Sequence, residues 1–137
     1  MVDDVVLNKV AIIERCVARV REEYADNEAN LLQNQTRQDA IILNLQRACE
    51  AAIDLSMHLV RTHRLGIPQE TREAFELLRD ARRLSADLAE RMTRMVGFRN
   101  IAIHDYRKLD LQIVKNIVTQ RLNDFLDFTH TVLAAQP

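Results

Sequence analysis

Apolar side chains recur along the first 25 residues with alternating spacings of four and three. The positions are Val6, Val10, Ile13, Val17, Val20 and Tyr24. This period places them on one face of an amphipathic helix, which we predict from about residue 3 to residue 25. Further apolar residues at Val5, Ile12 and Cys16 widen that face. The width fits either a dimer interface or a core helix with a broad apolar side.

A second and longer helix is predicted from about residue 28 to residue 65. Its apolar positions are Leu31, Ile41, Ile42, Leu45, Cys49, Ala52, Leu55 and Leu59. The polar stretch 33–38 interrupts this pattern near the beginning, so we expect a bend or an irregular turn there. Gly66 and Pro68 end the helix, because glycine favours a helix C-terminus and proline cannot continue one.

Three shorter amphipathic segments follow. Thr71 is a candidate cap for a helix that runs to about residue 83, and Ser85 is a candidate cap for the next, since its hydroxyl can accept a free backbone N–H. A last helix is predicted from about Asp110. It would bury Leu111, Val114, Val118, Leu122, Phe125 and Val132.

No alternating β pattern accompanies these helices. The sequence therefore predicts an all-α fold, a four- to five-helix up-and-down bundle with short connections. A length of 137 residues fits a single domain spanning 1–137.

Composition narrows the protein class. The chain is 47% hydrophobic and 28% charged, which indicates a globular fold and excludes disorder. No apolar run is long enough to span a membrane, and Asp3 and Asp4 stand where a secretory signal would be apolar. We therefore expect a cytoplasmic protein without membrane contact. Cys16 and Cys49 lie on apolar helix faces and are predicted to be buried free thiols.

Charge is distributed unevenly, although the net charge is only −1. Residues 72–108 carry nine basic and six acidic side chains, a local net charge of +3. Such a region can steer a polyanion, or it can be an ordinary solvated helix surface. The arginines that could line an RNA path are Arg82, Arg83, Arg91 and Arg94.

Residues 99–106 read Arg-Asn-Ile-Ala-Ile-His-Asp-Tyr and carry the candidate chemistry. Arg99 offers a planar donor fork suited to phosphate, and His104 belongs to the residue type that exchanges protons near neutral pH. Together they are a minimal set for cleaving a phosphodiester without a metal or another cofactor. Asn100 is placed to orient His104 or the phosphate.

Helix geometry constrains this pair. In one regular helix Arg99 and His104 would lie about 140° apart around the axis, so they could not converge on one phosphate. Either the helix breaks after Gly97 and the motif bends, or two copies of the motif meet across a dimer. We favour the dimer.

Other histidines give weaker signals. His58 and His63 are five residues apart, do not share a helix face and have no Cys/His cluster around them, so no metal site is predicted. Asp54 and His58 are four apart and could form a structural pair.

The string 96–106 resembles the signature of the HEPN superfamily, specifically the HepT-like toxins that are paired with small MNT nucleotidyltransferase antitoxins. The Arg-x4-His-x-Tyr motif of that family is matched by Arg99, His104 and Tyr106, with Asn100 at a commonly polar position. Residues 47–60 are similar to the family's long second helix.

This resemblance implies a helical bundle that forms a homodimer, with a cleft built from both motifs. It implies a metal-independent endoribonuclease that cleaves cellular RNA, with Arg99 and His104 as catalytic residues and Asn100 in support. It also implies an MNT-type antitoxin partner that binds the toxin or transfers AMP to Tyr106. Two alternatives remain: a non-catalytic module that binds a nucleotidyltransferase and helps to present nucleotide or substrate, and a purely structural dimeric bundle.

Overall fold

The computed structural model describes residues 3–137, and within that range every regular element is helical. The all-α prediction is therefore confirmed. The α-helices are α1 (Asp4–Tyr24), α2 (Ala29–Leu32), α3 (Gln35–Thr62), α4 (Thr71–Asp80), α5 (Ala86–His104), α6 (Leu111–Asn116) and α7 (Leu122–Ala134). A 3-10 turn (Tyr106–Lys108) follows α5, and a π-helical turn (Ile117–Arg121) joins α6 to α7.

Helix α1 is a core helix. It packs along α3 and against α7. The six apolar residues that were predicted to share one face of this helix are all buried within the single chain. Asp3 caps it by accepting the N–H of Val5 at 2.8 Å. Cys16 is buried as well, whereas Val5 remains 41% exposed. Packing within the chain therefore accounts for most of the broad apolar face of α1.

The predicted second helix is divided in two, at the polar stretch where an irregularity was expected. Its first part is the single turn α2, and α3 begins only at Gln35, because Asn34 is extended and its side chain accepts the N–H of Arg37 at 3.1 Å. The far end, at Thr62, precedes the predicted end by three residues. Gly66 lies beyond it with φ 139°, a conformation that favours glycine.

Of the two predicted helix caps, Thr71 is wrong for α4 and Ser85 is right for α5. Thr71 is the first helical residue of α4 rather than its cap, and Glu70 occupies the cap position without a side-chain bond. Glu73 compensates by accepting the N–H of Gln69 at 2.8 Å. Ser85 is confirmed as the cap of α5, since its Oγ accepts the N–H of Leu88 at 3.0 Å.

The predicted last helix is interrupted by the π-helical turn at Ile117–Arg121. Asp110 caps its start by accepting the N–H of Gln112 at 2.8 Å. Val114, Val118 and Leu122 are spaced four residues apart, which is more than the roughly 3.6 residues of one α-helical turn. The wider π-helical turn keeps all three side chains buried on the same side. Cys16 and Cys49 are free and buried, as predicted. No helix of the described range is long and apolar enough to span a bilayer.

We expect Ser85→Ala to lower the free energy of unfolding by about 1 kcal/mol, because the N–H of Leu88 loses its acceptor at the start of α5. Urea denaturation measures this change. Ser85→Asp is the matched control, since a carboxylate caps as well as a hydroxyl. Equal destabilisation by both substitutions would show that the cap bond contributes nothing.

Candidate active site

Helix α5 carries most of the motif in regular α-helical form. It continues through Gly97 to His104 and ends where the N–H of Asp105 donates to the carbonyl of Ile101 at 2.8 Å. The interpretation in which the helix breaks after Gly97 is therefore wrong. Arg99 and His104 keep their separation of about 140° around the helix axis, so a single chain presents them on different faces.

Arg99 lies on the side of α5 that faces α3. With Glu50, Ile53 and Asp54 it lines an open depression of about 180 Å³. Its Nε is buried without a hydrogen-bond partner, and within residues 3–137 no carboxylate lies within 4.0 Å of its guanidinium. Asp54 instead pairs with Lys9 at 3.1 Å. A buried donor without an acceptor costs about 1–3 kcal/mol.

Asn100 and His104 share the solvent-facing side of α5, one turn apart. Both side chains are exposed, and neither forms a side-chain hydrogen bond within the described part of the chain. The structure thus brings Asn100 next to His104, as the spacing suggested. It does not bring Arg99 to them.

Tyr106 lies in the 3-10 turn and reaches α3. Its hydroxyl donates to Oδ1 of Asp39 at 2.7 Å, while 42% of the residue remains exposed. Partial burial, followed by the Asp39 carboxylate, raises the pKa of Tyr106 to about 12, because both disfavour the phenolate. Gln35 Nε2 donates to the same Oδ1 at 2.9 Å. Asp39 was missed in the sequence because 67 residues separate it from Tyr106 and only the fold brings them together.

An apolar groove flanks α5 on the side that faces α6. It has a volume of about 390 Å³, and its apolar walls come from Met95, Phe98, Ile101, Leu109, Ile113 and Ile117. Ile101 and Ile113, which line the groove, are 45% and 53% exposed, and Ile103 on α5 is 41% exposed. A Cβ at Gly97, which also lines the groove, would meet no atom within 4 Å. The exposed apolar surface of the motif region therefore lies on α5 and α6.

Acidic neighbours neutralise much of the predicted basic region. Arg91 binds Asp87, Asp124 and Asp127 at 2.8–3.0 Å, an arrangement that ties α5 to α7 and raises the pKa of Arg91. Arg94 pairs with Glu90 at 2.7 Å. Arg91 is thus held between α5 and α7, whereas Arg94 and Glu90 form a pair on the exposed surface of α5, and the suggested RNA path stays a prediction. Four basic residues of 72–108 have no acidic partner within 4.0 Å among residues 3–137: Arg82, Arg83, Arg99 and Arg107.

The structural pair that the sequence predicted between Asp54 and His58 does not form. His58 does not pair with Asp54; its Nε2 contacts Oδ2 of Asp3 at 2.5 Å, and this contact lowers the pKa of Asp3. In the range that the structure describes, no three His, Cys, Asp or Glu residues are grouped closely enough to hold a metal ion.

Comparison with known proteins decides the family. Residues 13–132 match the family model described as ribonuclease HepT-like. The chain belongs to the HepT-like ribonuclease family. Over 132 residues it is 43% identical to the mRNA nuclease HepT of Shewanella oneidensis, covering 96% of this chain and 98% of that protein.

Solved structures of similar proteins have the same fold as this chain. The tri-AMPylated HEPN toxin of Shewanella oneidensis in complex with an MNT antitoxin is 42% identical, with a TM-score of 0.92, covering 96% of this chain and 98% of that one. A toxin–antitoxin structure with AMP-PNP is also 42% identical, with a TM-score of 0.92 over 96% of this chain and 99% of that one. The predicted family and fold are confirmed, and the roles of Arg99, Asn100, His104 and Tyr106 stay predictions.

We expect Asp39→Asn to lower the pKa of Tyr106 from about 12 part of the way toward 10.0, because the carboxylate charge is lost and the partial burial is kept. Spectrophotometric titration of tyrosinate measures the shift in a Tyr24→Phe background, which leaves Tyr106 as the single tyrosine.

The raised pKa of Tyr106 also determines how its contribution to the stability of the fold depends on pH. A pKa raised in the folded state stabilises the fold below pH 10 and loses that contribution as the pH rises through about 12. An unchanged titration in Asp39→Asn would show that the phenol does not sense Asp39.

Proposed function

We propose that this HepT-like protein is the toxin of a toxin–antitoxin pair and an endoribonuclease that cleaves cellular RNA. The carrying observation is Arg99, whose guanidinium borders an open depression with a buried and unpartnered Nε. A charged donor kept free of carboxylates is suited to an external anion. The relative in Shewanella oneidensis, named an mRNA nuclease, supports RNA as that anion.

In the proposed reaction the RNA 2′-hydroxyl attacks the adjacent phosphorus. A 2′,3′-cyclic phosphate forms as the bond to the 5′ oxygen breaks. Arg99 binds the phosphate and stabilises the charge that develops on its equatorial oxygens. His104 accepts the 2′-hydroxyl proton, donates a proton to the leaving 5′ oxygen, or does both together with its dimer mate; where it has only one of these roles, water takes or supplies the other proton. Asn100, one turn away, orients it. No step requires a metal ion or another cofactor.

Two protomers build this site in the proposed homodimer. Because α5 presents Arg99 and His104 on different faces, a second motif related by a two-fold axis supplies the missing group. The exposed isoleucines of α5 and α6 give the apolar surface for such contact. Gly97 leaves room for a close approach, since nothing within its own chain occupies the space beside it.

The proposed partner is an MNT-type nucleotidyltransferase antitoxin, acting in the cytoplasm. The tri-AMPylated relative in complex with its antitoxin supports modification as one route to neutralisation. Tyr106 is the proposed acceptor of AMP, because its phenol is partly exposed and lies two residues beyond His104. An added nucleotide would bring bulk and negative charge to the place where RNA must bind.

We expect His104→Ala to reduce cleavage of total RNA by about 10²–10⁴-fold, because proton transfer by a side chain contributes that much. Arg99→Lys should also lose activity, since one ammonium cannot replace a bidentate fork. The extent of RNA cleavage by each variant is measured in EDTA, with mapping of the RNA ends that form. His130→Ala is the matched control, because His130 is exposed on α7 outside the motif. Equal cleavage by His104→Ala and His130→Ala would remove His104 from the reaction, whereas absence of cleavage by the wild type would leave the non-catalytic alternatives. Undiminished cutting of a substrate with deoxyribose at the scissile position would exclude 2′-hydroxyl attack.

We expect Ile101→Asp to separate the dimer and to abolish cleavage, because a charge in the apolar contact would be desolvated without a partner. Sedimentation velocity gives the oligomeric state. Val5→Asp is the matched control: Val5 is 41% exposed on α1, against 45% for Ile101 on α5. A dimer lost in Val5→Asp and kept in Ile101→Asp would place the interface on α1 instead.

A further inference from the structure

The hydrogen bond between Tyr106 and Asp39 links the proposed modification site to a carboxylate on a different helix. Oδ1 of Asp39 accepts the phenolic O–H at 2.7 Å and the Gln35 amide at 2.9 Å. Within residues 3–137, no hydrogen bond or ion pair occupies Oδ2. Asp39 is itself exposed, so solvent and a second protein can reach the carboxylate and the phenol together.

A phenol that receives AMP must lose its proton. Burial and Asp39 raise the pKa of Tyr106 to about 12. At neutral pH only about one phenol in 10⁵ would be ionised, which leaves almost no phenolate to react without help. A proton acceptor within hydrogen-bond distance removes this barrier by taking the proton as the new bond forms.

We propose that Asp39 accepts the proton of Tyr106 during AMP transfer, so that the toxin carries the general base for its own modification. The inference rests on the proposed role of Tyr106 as the AMP acceptor. Oη of Tyr106 bonds to the α-phosphorus of ATP while the bond from that phosphorus to the bridging oxygen of the β-phosphate breaks. Pyrophosphate leaves, and the proton passes to Asp39 and then to solvent.

Other charged groups near the phenol fit this role less well. Asp39 on α3 contacts it, and the titratable groups nearest to it along the chain are His104, Asp105, Arg107 and Lys108. Asp39 alone among them hydrogen-bonds the phenol and shifts its pKa. Asp105, the other carboxylate, pairs with Lys108 at 3.3 Å.

The test is single-turnover transfer of labelled AMP from ATP to the full-length toxin by its cognate nucleotidyltransferase. We expect Asp39→Asn to lower the rate by about 10²-fold, because an amide oxygen still accepts the hydrogen bond but cannot take the proton. The remaining rate should rise with pH up to the phenol's pKa, where phenolate forms unaided. Asp105→Asn is the matched control, since it removes the same charge next to Tyr106 without contacting the hydroxyl.

The outcomes separate the two proposals. A rate for Asp39→Asn equal to that of Asp105→Asn would overturn the role of Asp39 and leave Tyr106 as the acceptor. A reduced rate with the wild-type pH profile would also overturn it, because Asp39 would then act only on structure. Labelling that persists in Tyr106→Phe would overturn the proposed acceptor itself. Thermal melting of each variant confirms that the compared proteins are folded.

Discussion

The periodicity of α5 is the constraint on which the proposed site depends. Residues five apart on one α-helix point about 140° apart around its axis, and α5 is continuous α-helix through the whole Arg-x4-His spacing. The chain therefore contains both chemical groups without containing a complete site. In the proposed homodimer, two-fold symmetry supplies the missing group from an identical surface without a new sequence.

The two catalytic candidates are held in different ways, which suits their different tasks. Arg99 is partly buried against α3, and its position next to Glu50 and Asp54 is fixed without an ion pair within 4.0 Å in the described chain. This arrangement orders a guanidinium in advance and keeps its donors free for phosphate. His104 is exposed to solvent in the last turn of α5. In the proposed reaction, phosphate binding thus falls to the partly buried residue and proton transfer to the exposed one.

Sequence reasoning reached most of the fold because amphipathic periods report burial directly. It identified the α1 stripe, the interruption before α3 and the Ser85 cap, each of which depends on neighbours within a few residues. It failed where distant segments decide the outcome. The partner of His58 is Asp3 rather than Asp54, the charge of Arg91 is satisfied from α7, and Asp39 meets Tyr106 across 67 residues. Only the spacing of four at Val114, Val118 and Leu122 hinted at the π-helical turn.

The contact between Tyr106 and Asp39 exists only in the unmodified protein. Once the phenolic oxygen carries a phosphate, it has no hydrogen to donate, and the new negative charge lies against the Asp39 carboxylate. The bond that holds the 3-10 turn on α3 then becomes a repulsion. Because this turn begins two residues after His104, its displacement would alter the end of α5 as well as the entrance for RNA. At the proposed acceptor, steric block and local release would thus act together.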